Sequence, residues 1–251
     1  MSGHSKWSTI KRKKAVIDAK RGKVFTKLIK EIMIAARMGG GDADANPRLR
    51  SAVQTARGSN LPNDKIERAV LRGTGDLEGV RYDEVTYEGY GPEGVAILVD
   101  VMTDNGNRTV AEIRSAFSRR GCKMGAQGSV GYLFDEKGHI RVPRQAVDYE
   151  TIFEAAVEAG AEEVEEADED WLVTTVREEL YEVSGALETA GITPAEVALA
   201  KVPQTTIDIT EIGAAKKVIA LIDALEDNED VQTVWANFDI SEDVAVALEA
   251  E

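Results

Sequence analysis

The side chains whose type and spacing could do chemistry in this chain are cations. Lys6, Lys11, Arg12, Lys13, Lys14, Lys20 and Arg21 crowd the first 21 residues against one carboxylate, Asp18, and Lys23, Lys27 and Lys30 continue the series. Neighbouring cations repel, and an exposed ion pair is worth only about 0–1 kcal/mol. Such a run therefore gains little from joining an acidic fold and suits a polyanion outside the protein. Phosphates of nucleic acid fit that description. A second basic island, Arg108, Arg114, Arg119, Arg120 and Lys123, stands among acidic neighbours.

Other chemistry finds less support. The two histidines, His4 in the basic arm and His139 near an expected hairpin, have no Cys, Asp or Ser partner at a useful spacing. GSVG around Ser129 lacks the form of a nucleophile elbow. The single cysteine, Cys122, follows a helix beside Arg119, Arg120 and Lys123, which could lower its pKa, but a half-buried, inert thiol is the simpler reading. Asp and Glu are abundant without calcium-loop spacing or a histidine-based cluster, so no metal is expected. Gly89-x-Gly91-x-x-Gly94 spells a dinucleotide fingerprint, yet it runs into the strand VAILVDV with Pro92 inside it, whereas the fingerprint must open a helix whose N–H groups meet pyrophosphate. Neither a catalytic residue, a cofactor nor a small-molecule substrate is expected.

The formal net charge is −15, yet residues 1–75 hold 17 Lys/Arg against 6 Asp/Glu. The remainder is strongly acidic, so the global balance hides a basic region tied to acidic domains. One cysteine excludes an internal disulfide and suits a reducing cytoplasm. No apolar run approaches the ~18 residues of a membrane span, so no membrane is expected as a partner.

The elements that must position these cations follow from periodicity. Up to about Arg21 the charge density predicts a mobile arm. From Lys23, Phe25, Leu28, Ile29, Ile32, Met33 and Ala36 form one apolar stripe at helical spacing, with Lys20, Lys23, Lys27, Lys30 and Arg37 opposite. Asn46-Pro47 opens a second helix and NLPND a third, with Gly73 as its cap. Arg48, Arg50, Arg57, Lys65, Arg68 and Arg72 add to the basic character of this region. DEVTYEGY and GVAILVDVM predict a hairpin joined by GPEG. A helix ending at Gly121 and a strand over SVGYLF follow. HIRV, a helix over 148–159, strands near EEVEEA and WLVTTV, a helix over 177–190 and a strand around 195–202 make a complete β-α-β-β-α-β unit. A helix over 211–226 and a strand over 231–238 then finish the interrupted one.

The expected fold is therefore α+β and multidomain: a basic three-helix domain (1–78), a discontinuous ferredoxin-like domain (79–136 and 204–240), and an acidic ferredoxin-like domain (137–203) inserted in it. The acidic runs of the insert, such as EEVEEADEDW, read as solvated faces.

The segments GHSKWSTIKRKKAVIDAKRGKVFTKLIKEI, NLPNDKIERAV, YEGYGPEGV and TDNGNRTVAEIRSAF closely resemble the YebC/PmpR family, whose mitochondrial members include a translational activator of cytochrome oxidase subunit one. The resemblance is specific through residue 135 and looser beyond. It implies a helical first domain, two α+β domains with one inserted in the other, and a cytoplasmic, DNA-binding transcriptional regulator; other members act at the ribosome in translation. KMGAQGSVGYLF departs from the family's glycine-rich segment, which more often reads NLGTSGSVAW. Two readings remain. Basic helices could grip duplex DNA, although no helix carries Asn, Gln and Arg at groove-reading spacing. Alternatively the arm contacts ribosomal or messenger RNA, where mobile basic segments suit irregular shapes.

Overall fold

A computed structural model describes residues 21–249. Arg21–Gly39 forms α1, Pro47–Gly58 forms α2 and Asn63–Thr74 forms α3. Asn46 starts α2 as expected: its Oδ1 accepts from the Leu49 amide at 3.1 Å, and Pro47 takes the first helical position, where no amide is needed. The same side chain donates to the Ala35 and Gly40 carbonyls, both at 2.8 Å, and so ties the end of α1 to the start of α2.

Two expectations for this region fail. The third helix runs through Gly73 and is capped by Gly75 in the left-handed conformation, φ 88°. Gly73 serves contact instead: a Cβ there would lie 2.4 Å from the Met33 carbonyl oxygen, so only glycine lets α3 approach the α1 backbone. The second failure is α1 itself. Ile32, Met33, Ile34, Ala35 and Ala36 are consecutive and all buried, and Lys30 is only 4% exposed. Consecutive buried positions covering more than a turn enclose the helix on every side, so its expected outward line of lysines is interrupted at Lys30.

The chain continues with β1 (Asp83–Tyr90), β2 (Ala96–Thr103), α4 (Gly106–Ser118) and β3 (Lys123–Met124). Next come β4 (Phe134–Pro143), α5 (Tyr149–Glu158), β5 (Glu163–Ala167), β6 (Asp170–Val176), α6 (Leu180–Thr189) and β7 (Glu196–Pro203). The last elements are β8 (Ile207–Ile209), α7 (Ile212–Glu226), β9 (Val231–Ala236), β10 (Phe238–Ile240) and α8 (Glu242–Glu249).

One four-stranded sheet has the order β3-β1-β2-β9, and a second has the order β5-β6-β4-β7. The pairings of β1 with β2 and β3, of β2 with β9, and of β6 with β4 and β5 are antiparallel. The second sheet carries the expected β-α-β-β-α-β sequence of elements, lying in the chain between β3 and β9 of the first. A short parallel pair, β8 with β10, was not foreseen. Contacts group the chain into two compact units. One holds, of the described residues, 21–23, Tyr82–Asp135 and the segment from Val202; the other holds Val24–Arg81 with Glu136–Lys201.

In the first unit, Ile113 and Phe117 of α4 and Val218, Leu221 and Leu225 of α7 are buried with Val99, Val101 and Val231. Enclosing a ring such as Phe117, fully buried, is worth about 1.5–3 kcal/mol. That packing anchors the end of α4, next to Arg119 and Arg120. In the second unit, Ile140, Val142, Ile152, Val173, Leu180 and Leu187 form a separate core.

SVGYLF is not a strand. Gly131–Leu133 is a single 3-10 turn, Phe134 already begins β4, and the strand beside β1 is the two-residue β3. His139 is likewise mid-strand, opposite Thr174, and not at a hairpin.

Candidate nucleic-acid interface

Of the cations singled out by sequence, Lys6, Lys11, Arg12, Lys13, Lys14 and Lys20 lie outside the described residues. Arg21 begins α1. Lys23 Nζ meets Asp227 Oδ1 at 3.0 Å, Lys27 is half-buried and Lys30 is buried. On α3, Lys65, Arg68 and Arg72 are all exposed, and their spacing places them along one helix face. Arg48 is different: its guanidinium makes two bonds to Glu31, at 2.7 and 3.0 Å, and serves to join α2 to α1.

The basic island of the first unit divides in the same way. Arg108 is exposed but paired. Its Nη2 donates to Asp230 Oδ2 at 2.6 Å and to Asp104 Oδ1 at 2.8 Å, and the hydrogen bond to Asp230 is the largest of the effects pushing its pKa up. Asp230 Oδ2 also accepts from Thr109 at 2.7 Å and Thr103 at 3.2 Å. The motif TDNGNRT thus wraps a buried carboxylate, and Arg108 neutralises it. Two carboxylates offset the charge of this guanidinium, so it attracts phosphate less than an unpaired arginine would.

Arg114, Arg119, Arg120 and Lys123 are exposed as well but, by contrast, none has a carboxylate within ion-pair distance among the described residues. The helix places them: α4 ends at Ser118, Gly121 reverses the chain with φ 71°, and β3 begins at Lys123. Cys122 sits in this turn with its Sγ 3.4 Å from the Arg120 carbonyl. Burial pushes its thiol pKa up, and Arg120 opposes that only in part, which disfavours the thiolate.

Sequence reasoning missed the group that organises the segment after β3. Glu88, 7% exposed, accepts from the Gly128 amide at 2.6 Å, Val130 at 2.7 Å and Gly131 at 2.8 Å, while its own carbonyl accepts from Gly125 at 2.7 Å. A carboxylate gathering backbone N–H groups is the inverse of a phosphate loop: here the protein fills its own anion site. In the stretch YEGYGPEG, alternation marks Glu88 as facing one side of a strand, but nothing local says that the side is buried. The glycines of the dinucleotide-like spelling also have packing roles. A Cβ at Gly89 would strike the Phe117 ring at 2.7 Å, and one at Gly91 would lie 2.8 Å from Ile97 Cδ1.

One cavity in the second unit, of about 550 Å³, is lined by Gln54, Arg141, Asp170 and Glu196 among others. Arg141 lies between Asp170 at 3.9 Å and Glu196 at 3.7 Å, so its charge is offset by the protein. Among the described residues no cluster of three or more metal-binding side chains occurs, and no helix is long and apolar enough to cross a membrane.

A three-helix region followed by two antiparallel sheets with packed helices defines an α+β protein whose distinctive chemistry is on its surface. The chain belongs to the TACO1/YebC family: residues 5–76 match the family's N-terminal domain and residues 82–238 its second and third domain. A relative from Acidithiobacillus ferrooxidans, named a probable transcriptional regulatory protein, is 56% identical over 250 residues, covering 100% of this chain and 99% of the relative. One of the same name from Persephonella marina is 53% identical over 243 residues, covering 96% and 97%. The crystal structure of a conserved hypothetical protein from Aquifex aeolicus superimposes with a TM-score of 0.84 at 47% identity, covering 91% of this chain and 94% of that one.

Proposed function

We propose that this protein is a non-enzymatic regulator of gene expression that acts in the cytoplasm by binding nucleic acid. The observation that carries the reading is the set of exposed, unneutralised cations, Arg114, Arg119 and Arg120, in a chain whose acids outnumber its bases by 45 to 30. With carboxylates in such excess, exposed guanidiniums that pair with no carboxylate among the described residues are best explained by an anion from outside. The curated relatives' name supports transcription as the process regulated, and DNA as the polymer. In this reading residues 1–78 form the principal binding domain, and Lys11, Arg12, Lys13 and Lys14 supply most of the phosphate contacts.

The test replaces those four residues with Glu. Affinity for duplex DNA and for structured RNA should fall below detection at physiological salt while the circular dichroism of the folded part is unchanged. Unaltered affinity for both would overturn the proposal. Salt dependence gives a second measure, since each phosphate neutralised contributes about −0.9 to the log–log slope on duplex DNA and about −0.7 on single strands. Crosslinking in cells followed by sequencing of both polymers separates transcription from translation. Discrete promoter peaks favour the first; dominant ribosomal RNA favours action at the ribosome.

A further inference from the structure

Beside the arginine island the first unit exposes two aromatic rings that packing does not explain. Tyr90, at the end of β1, is 41% exposed, and Tyr132, in the 3-10 turn before β4, is 66% exposed. The Tyr90 hydroxyl donates to the Ser129 carbonyl at 3.0 Å, which holds that ring in place. Desolvation raises the Tyr90 pKa, and Tyr132 lies close enough to add to the shift. The loop that leads into Tyr132 is fixed by the three amides that Glu88 gathers, those of Gly128, Val130 and Gly131. Tyr90 is paired directly with Lys123 across the β1–β3 ladder. Directly opposed residues of an antiparallel pair project to the same face, so the ammonium and the ring share one surface.

A rigid ring is an inexpensive binding surface, because little side-chain entropy is left to lose on contact. The charges nearby select what can approach. Asp135 is exposed just after Tyr132 and opposes a dense wall of phosphates such as a duplex presents. The π-face of an unpaired base is neutral and meets no such barrier, while Lys123 and the neighbouring Arg119 and Arg120 suit the few phosphates of a strand crossing at this point. Exposed aromatics beside a short basic stretch are how proteins hold single strands without reading sequence.

We propose that Tyr90, Tyr132 and Lys123 form a stacking platform for unpaired nucleobases, so that the nucleic acid held by this protein is single-stranded where it crosses the glycine-rich loop. The platform rests on the nucleic-acid reading and sharpens it. Tyr90 and Tyr132 stack on bases, Lys123 neutralises a phosphate, and Glu88 keeps the loop in register without touching the ligand.

The experiment measures fluorescence anisotropy of the full chain with labelled oligouridylate, oligothymidylate and a duplex DNA of matched length. Tyr132→Ala should weaken binding of both single strands by at least about fivefold, whereas Tyr132→Phe, which keeps the ring, should stay within about twofold of the parent. Duplex affinity should not respond to either change. Lys123→Ala should reduce the salt slope on single strands by about 0.7. Equal loss on both single strands assigns the platform to bases alone; loss on the uridylate only assigns it to RNA. Single-strand binding that is unchanged in Tyr132→Ala, or a parent protein that binds only duplex, overturns the platform and leaves the general reading standing. A parent protein that binds none of the three probes overturns both.

Discussion

Removing the Glu88 carboxylate should loosen one loop and leave the rest of the fold in place. Three backbone amides donate to it at 2.6–2.8 Å, and the residue is 7% exposed, so solvent screens it little. Hydrogen bonds to a charged group contribute about 1.5–3 kcal/mol each. Against their sum stands the cost of burying the carboxylate, several kcal/mol, which Glu88→Ala relieves. The net expectation is a loss of about 3 kcal/mol, or roughly 6–12 °C in the thermal midpoint of a chain this size. Glu88→Gln should cost less, because one amide oxygen can keep two of the three donors while its NH2 group faces the third. Calorimetry gives the midpoint, and amide hydrogen exchange locates the change. Protection at Gly128, Val130 and Gly131 should collapse while that of Ile97 and Val99 in β2 falls only by the global amount. Persistent protection of the three loop amides in Glu88→Ala, with a midpoint shift below about 1 °C, would refute the idea that the carboxylate holds the loop.

Gly73→Ala should destabilise the helical region by about 1–3 kcal/mol, since the added methyl carbon meets the Met33 carbonyl at 2.4 Å and α3 must move; the urea midpoint reads this. Arg119→Glu with Arg120→Glu should weaken nucleic-acid binding and lower the salt slope by about 1.4 to 1.8, while Arg108→Gln should lower the thermal midpoint and leave the slope unchanged, because Arg108 serves Asp230. Asp148 caps α5 by accepting from the Thr151 amide and hydroxyl, both at 3.0 Å, and the amide bond is the main cause that holds its carboxyl below the usual carboxylate range. A depressed carboxylate stabilises above its unfolded pKa and loses that contribution as pH falls through the folded value. Asp148→Ala should therefore lower stability at neutral pH and reduce the loss on acidification, as followed by thermal melts across the acid limb.

Much of the architecture was legible because its causes are local. Asn46-Pro47 specifies a helix start through one side-chain oxygen and one missing amide. The repeat of the β-α-β-β-α-β pattern between His139 and Pro203 follows from changes in hydrophobic period alone. The interface was legible only in part, since charge is visible in a sequence and burial is not. Lys30 and Lys27 look alike in the chain, yet one is enclosed and the other half-exposed, because the middle of α1 is covered on all sides. Arg108 and Arg114 likewise read as two members of one island. Only the fold brings Asp230, some 120 residues away, onto the first and leaves the second without a carboxylate among the described residues.

By itself the sequence determined the basic first region, the acidic remainder, the helix starts and the interrupted order of the two sheets, all of which depend on neighbours along the chain. Tertiary structure alone decided which cations remain for a ligand, why Gly73 and Gly89 must be glycine, and that SVGYLF is a loop. That last choice turns on Glu88, whose buried oxygens satisfy the Gly128, Val130 and Gly131 amides that a strand would have offered to a neighbour. A contact across some 40 residues has no local signature, so no periodicity or propensity could have announced it.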